Sequence, residues 1–151
     1  MKVEGERKLP APREKAWKML MDPEVLTRCL PGCEKLEPAG ENTYKALLKI
    51  GLPGAKGSYT GTVSLLDLDP PNSFKMMLEG KGLPGFVRGS ATITLAEDGD
   101  STNLRYSGDV QIGGLIASIG QRMIQGTAST LLNQFFESLE RELRTPKEDR
   151  G

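Results

Sequence analysis

The stretch Leu115-Ile116-Ala117-Ser118-Ile119-Gly120-Gln121-Arg122-Met123-Ile124-Gln125-Gly126-Thr127-Ala128-Ser129-Thr130-Leu131-Leu132-Asn133-Gln134-Phe135-Phe136-Glu137-Ser138-Leu139-Glu140-Arg141-Glu142-Leu143-Arg144 has no proline, and its reading decides the fold. Apolar side chains fall at Leu115, Ile119, Met123, Leu131, Phe135, Leu139 and Leu143, with a flanking row at Ile116, Ile124, Leu132 and Phe136. Steps of four with a neighbour one residue on predict a single helix with a broad apolar stripe. At about 1.5 Å per residue it would run roughly 45 Å, longer than a small domain is wide. Its apolar face needs a sheet to cover it. The first half is thin, with Ala117, Ser118, Gly120, Gly126, Ala128 and Ser129, whereas the second half carries Phe135, Phe136 and the leucines. Glycine inside a helix costs about 1 kcal/mol against alanine, so two of them need a reason. Either a strand approaches closely, or small side chains leave room for a cavity between helix and sheet.

At 151 residues the chain fits one domain with a real core, expected over residues 1–145, followed by a charged tail at 146–151. Lysine and arginine number 20 and so do aspartate and glutamate, so net charge implies no nucleic-acid partner. No apolar run approaches the roughly 18 residues of a membrane-spanning helix. The opening Met1-Lys2-Val3-Glu4-Gly5-Glu6-Arg7 is charged and lacks the apolar core of a secretory signal. A soluble cytoplasmic protein is expected. Cys29 and Cys33 alone cannot complete a four-ligand zinc site in a chain without histidine, and a disulfide is disfavoured in the cytosol. The absence of histidine also removes the usual general base and the Ser-His-Asp triad. No metal and no covalently bound cofactor are expected.

Ahead of the long helix the chain reads mostly as strand. Lys2 to Leu9 alternates Val3, Gly5, Arg7 and Leu9 against Lys2, Glu4, Glu6 and Lys8. After Pro10-Ala11-Pro12 a helix is expected from Arg13 to about Met21, then a short one over Glu24 to Cys29 with Asp22 as N-cap and Pro23 behind it. Strands follow at Cys33–Glu37, Thr43–Ile50, Ser58–Leu68, Ser73–Glu79, Phe86–Glu97 and Thr102–Ile112. Their expected loops are Pro38–Asn42, Gly51–Gly57, Asp69–Asn72, Gly80–Gly85 and Asp98–Ser101. Connections this short favour an antiparallel meander curved around the long helix, an α+β fold with the first strand closing one edge. Leu-Pro-Gly recurs at Leu30–Gly32, Leu52–Gly54 and Leu83–Gly85, without periodic spacing. Proline and glycine make good turns, and an exposed leucine on such a turn can also gate a pocket or touch a greasy surface. Gly80-Lys81-Gly82-Leu83-Pro84-Gly85 has the letters of a phosphate loop but precedes a strand, so it offers no helix N-terminus to a phosphate.

This layout resembles the helix-grip fold of the START-like, polyketide-cyclase and Bet v 1-type superfamily. More narrowly, the chain is similar to the CoxG family, the G subunits of carbon monoxide dehydrogenase. The similarity lies in Glu6-Arg7-Lys8-Leu9-Pro10-Ala11-Pro12-Arg13-Glu14-Lys15-Ala16-Trp17, in Asp22-Pro23-Glu24-Val25-Leu26 with Leu30-Pro31-Gly32-Cys33, and in Gly57-Ser58-Tyr59-Thr60-Gly61. It continues in Ser118-Ile119-Gly120-Gln121-Arg122-Met123-Ile124, with Phe135-Phe136 behind. The resemblance implies a curved sheet of about seven strands gripping the helix over a hydrophobic cavity. It further implies a non-catalytic accessory protein of a molybdenum hydroxylase of the carbon monoxide dehydrogenase type, concerned with membrane recruitment or electron transfer to quinone. The implied ligand is quinone- or lipid-like. Some members carry a C-terminal extension thought to touch the membrane; here the tail Pro146-Lys147-Glu148-Asp149-Arg150 is of mixed charge, and at most peripheral contact at the inner membrane face is expected.

The expected pocket sets Tyr44, Leu48, Tyr59, Val63, Met76, Leu78, Ile93, Tyr106 and Val110 on the concave face opposite Ile119, Met123, Thr127 and Leu131, with Trp17, Leu20 and Leu30 capping one end. A mostly apolar pocket with a few oriented donors suits a hydrophobic small molecule, and methionines adapt to its shape. The same residues would also serve as a solid core. A cyclase- or dehydratase-like enzyme would need Glu79, Arg105 or Asp109, all of which alternation places on the wet face. A third reading is a docking module whose Leu-Pro-Gly loops bind a partner enzyme without any ligand.

Overall fold

The computed structural model describes residues 1–144. The expected charged tail lies outside them. β1 (Lys2–Leu9) leads through α1 (Arg13–Leu20) and α2 (Pro23–Cys29) to six strands: β2 (Cys33–Gly40), β3 (Thr43–Ile50), β4 (Gly57–Asp69), β5 (Ser73–Gly82), β6 (Gly85–Asp98) and β7 (Ser101–Gly113). A 3-10 segment, Gly114–Ile119, precedes α3 (Gln121–Arg144). The strands form one antiparallel seven-stranded sheet in the order β1-β7-β6-β5-β4-β3-β2. The expected α+β meander is what forms, with β1 at the far edge beside β7.

Local chemistry explains the helical elements. α2 starts where the Asp22 carboxylate accepts the Glu24 N–H at 2.9 Å, with Pro23 in the first turn, where its missing donor is no loss. The two short helices carry the chain from the β1 edge to the β2 edge. In doing so they bring Ala16, Trp17, Met19, Leu20, Val25, Leu26 and Cys29 onto Leu9, Leu65, Phe74, Leu95 and Leu104 of the sheet. Phe136, Leu139 and Leu143 of α3 complete this core. Buried Thr102 donates to the Ala11 carbonyl at 2.8 Å, tying the turn before α1 to β7.

Three expected boundaries move. The helix expected from Leu115 to Arg144 is broken at Gly120, whose φ of 98° and ψ of 150° belong to a region that only glycine enters easily. Before the break the chain makes the 3-10 segment, and the Ile116 N–H donates to the Pro84 carbonyl at 2.7 Å instead of to its own helix. Pro38, Ala39 and Gly40 are strand rather than loop. Because β2 is the sheet edge, a proline without an N–H is tolerated there, at the price of a register shift between Pro38 and Gly40. The Gly80–Gly85 loop shrinks to the turn Leu83-Pro84, because Gly82 and Gly85 pair across the hairpin. A side chain at Gly82 would run into the Ser58 carbonyl, so glycine here serves close approach of strands instead of a loop.

Candidate functional site

Residues that face each other across antiparallel strands share a side of the sheet. Tyr44 pairs with Val63, Val63 with Leu78, and Leu78 with Gly89, which pairs with Val110. Leu48 pairs with Tyr59, Met76 lies between Leu65 and Ala91, and Ile93 lies between Phe74 and Tyr106. The register therefore places all nine expected sheet residues on the face that also carries the core. Trp17, Leu20, Val63 and Ile93 belong to that core, with the Trp17 ring set edge-on to Phe74 at 5.5 Å. Trp17 and Leu20 thus fill their end by packing, and Leu30 is half-buried beside them. Tyr44 and Tyr59 are buried; Leu48, Met76, Leu78, Tyr106 and Val110 are half-buried. Of these five, Met76, Leu78 and Tyr106 pack against the core, and Leu48 and Val110 lie nearer the strand ends on the same face.

α3 covers that face unevenly. Its buried residues are Phe136, Leu139 and Leu143, all in the second half. Lys15 donates to the Leu143 carbonyl at 2.9 Å, and Arg28 pairs with Glu142 at 2.7 Å, fastening that half to α1 and α2. Across Gln121–Thr130 no side chain is buried: Thr127 is half-buried and Met123 is 49% exposed. Ile119 and Leu131 are also half-buried. The apolar side chains of the inner sheet face and of the first half of α3 are therefore covered only in part. The thin side chains do not account for this, however. Gly126 is exposed with nothing within 4 Å of where a side chain would begin, and Gly120 lies outside the helix, so neither close strand approach nor cavity-making accounts for them.

Polar groups on this inner face are few. The Tyr59 hydroxyl donates to the Ala55 carbonyl at 2.6 Å, pinning the β3–β4 loop, and burial pushes its pKa up. Tyr106 lies over Gly5, where any side chain would collide with its ring, and stacks on Phe136 at 5.4 Å. Arg7 was not among the expected site residues. Its guanidinium carbon sits 5.3 Å from the centre of the Phe136 ring, and it reaches the Asn133 carbonyl at 3.5 Å. Its place in the apolar row Val3-Gly5-Arg7-Leu9 was the available signal.

Glu79 pairs with Arg88 at 3.3 Å and Arg105 with Glu6 at 2.8 Å, all on the outer face, and Asp109 is exposed there. Cys29 and Cys33 are free thiols. Burial, with the nearby Glu142 carboxylate, pushes Cys29 up to about 11, and burial raises Cys33 as well. Two surface concavities lie elsewhere: about 450 Å³ over the outer side of β1, β7 and β6 around Glu4, Arg105 and Thr92, and about 290 Å³ between Cys29–Gly32 and Gln134–Arg141 of α3. No helix among the described residues is long and apolar enough to cross a membrane.

With this geometry in place, the chain can be set beside known proteins. A conserved protein of Geobacillus kaustophilus is 38% identical, with a TM-score of 0.93 over 95% of each chain. A START superfamily protein of Mycobacterium smegmatis superposes with a TM-score of 0.74 at 16% identity, covering 94% of this chain and 96% of that one. A protein of Chromobacterium violaceum gives 0.73 at 19% identity, covering 96% and 98%. The latter two show the shared helix-grip fold. Among curated proteins none matches. The family of carbon monoxide dehydrogenase G subunits (CoxG) matches residues 5–144, almost the whole described chain, and the protein belongs to that family.

Proposed function

We propose that the chain carries a hydrophobic small molecule, quinone- or lipid-like, in the cleft between the concave sheet face and the first half of α3. In this reading it is a non-catalytic accessory of a molybdenum hydroxylase of the carbon monoxide dehydrogenase type, acting in membrane recruitment or in electron transfer to quinone. The observation that carries the reading is apolar surface that protein covers only in part: Leu48, Met76, Leu78 and Val110 on the inner sheet face and Leu131 on α3 are half-buried and none is fully buried. Such surface inside a fold is unfavourable in water, and an apolar occupant removes it. In this reading the half-buried Tyr106 and Thr127 would supply the few polar contacts that orient it. Membership of the CoxG family supports the accessory role, and the fold supports the ligand class. The cyclase-like alternative is disfavoured because Glu79, Arg105 and Asp109 face solvent on the far side of the sheet.

Native mass spectrometry of gently purified protein, followed by solvent extraction, tests the reading. A stoichiometric quinone or lipid is expected. A bare protein of the calculated mass, which also fails to take up added quinone or lipid, would leave the ligand-independent docking module in its place.

A further inference from the structure

We infer that the molecule held against the inner face is an amphiphile with an anionic head, a long-chain carboxylate, and that Arg7 receives that head. The inference rests on the carrier reading and deepens it by naming the chemistry of the cargo.

β1 places Val3, Gly5, Arg7 and Leu9 on one side, and the register sets Arg7 opposite Leu104 of the buried core. A guanidinium therefore stands half-buried on the face that carries the core. Its carbon lies 5.3 Å from the centre of the Phe136 ring, which stacks on Tyr106 at 5.4 Å and meets Phe135 edge-on at 5.3 Å. Aromatic faces attract a cation but leave its N–H donors unspent. One of these donors reaches the Asn133 carbonyl, at a long 3.5 Å. No carboxylate among the described residues pairs with Arg7, whereas Arg13, Arg28, Arg88 and Arg105 have Glu97, Glu142, Glu79 and Glu6. The acidic neighbours in its own strand, Glu4 and Glu6, alternate to the outer face and pair with Lys2 and Arg105 there.

The unpaired charge selects the head. A half-buried cation without an anion is unfavourable, and the planar guanidinium fork matches a carboxylate with two parallel hydrogen bonds. The Tyr106 hydroxyl lies over Gly5, the preceding residue of the same row, so a neutral donor stands beside that row. Position selects the tail. β1 is an edge strand, and the sheet runs inward from it through β7 and β6 to β5. A head at Arg7 keeps one side towards water, while a chain leading inward passes Tyr106 and reaches the half-buried Met76 and Leu78 on β5. Three strand spacings of about 4.8 Å make that path roughly 14 Å, within the reach of a long acyl chain. A neutral quinone or ester would cover the apolar residues and leave the Arg7 charge unanswered.

Uptake by the delipidated full chain, read by gel filtration, solvent extraction and quantification, tests the inference with oleate, methyl oleate and a short-chain ubiquinone as probes. Oleate is expected to bind about tenfold or more tightly than its methyl ester, which has the same chain and no charge. Arg7→Met should remove that preference by bringing oleate down to the level of the ester, and Arg7→Lys should keep part of it. Lys8→Met, an exposed change on the outer face of the same strand, should bind all three probes as the parent does. The comparison of acid with ester in the parent chain needs no variant to fold. Equal uptake of acid and ester, a preference that survives in Arg7→Met, or uptake of the quinone alone would overturn the anionic head and leave the carrier standing. Uptake of none of the three would overturn both.

Discussion

The two halves of α3 carry the same apolar stripe and do opposite things with it. In the second half Phe136, Leu139 and Leu143 are buried against α1, α2 and the sheet. In the first half no side chain is buried, and the helix end is held through Ile119 and Met123 touching the Gly54 loop. Amphipathic spacing reports that a face avoids water; it does not report whether protein or something else covers it. One half of α3 is structure, and in the proposed reading the other is the wall of a cleft.

The largest expected effect tests that division directly. Leu139 is fully buried, and Leu139→Ala should cost about 2–5 kcal/mol by urea unfolding. Met123→Ala, earlier on the same stripe, should change stability by no more than about 0.5–1 kcal/mol. Comparable losses would mean that the first half packs on the sheet as tightly as the second and that the cleft is closed.

The packed half should also be visible in pH dependence. Cys29 titrates near 9.0 when unfolded and at about 11 in the fold, so the unfolded chain loses the proton first. Stability is unaffected below the lower value and is lost as pH rises from there towards about 11, by at most about 2.7 kcal/mol. Cys29→Ala should flatten that decline. Iodoacetamide at neutral pH should modify half-buried Cys33 well before Cys29; equal rates would place the α2–α3 contact in frequent opening.

The break between 3-10 segment and helix is the next test. Gly120→Ala meets no neighbour within 4 Å, yet should cost about 1–3 kcal/mol because of its backbone conformation. An unchanged stability would mean that α3 runs straight back to Leu115.

What the sequence made legible follows from periodicity. Alternation from Tyr44 to Val110 placed the inner face residue by residue, because a period of two leaves no ambiguity once register is set by short turns. Asp22-Pro23 announced α2 for a local reason that nothing distant alters. The failures have a common cause, which is that glycine and proline mean different things in different surroundings. Pro38 sits in a strand because β2 happens to be an edge, and Gly82 sits in one because Ser58 crowds it, facts that only the assembled sheet supplies. Gly120 passed as helix because its neighbours kept the apolar spacing across the break. Arg7 was visible as a charge in an apolar row, but its ring partner Phe136 lies far along the chain.

Gly126→Ala gives the smallest effect and separates the two meanings of a thin helix. Gly126 lies in the first half of α3, faces solvent, and has nothing within 4 Å of the added methyl group. If thinness served the cleft, the substitution would crowd it and lower the amount of extracted ligand. Because the position points outward, ligand content should stay constant while stability rises by up to about 1 kcal/mol from helix propensity alone. The gain should appear as slower hydrogen exchange at amides of the first half, since that half is held by few contacts and opens first. A gain spread evenly along α3 would show instead that the two halves open as one unit, and that the wall is as firm as the part that packs.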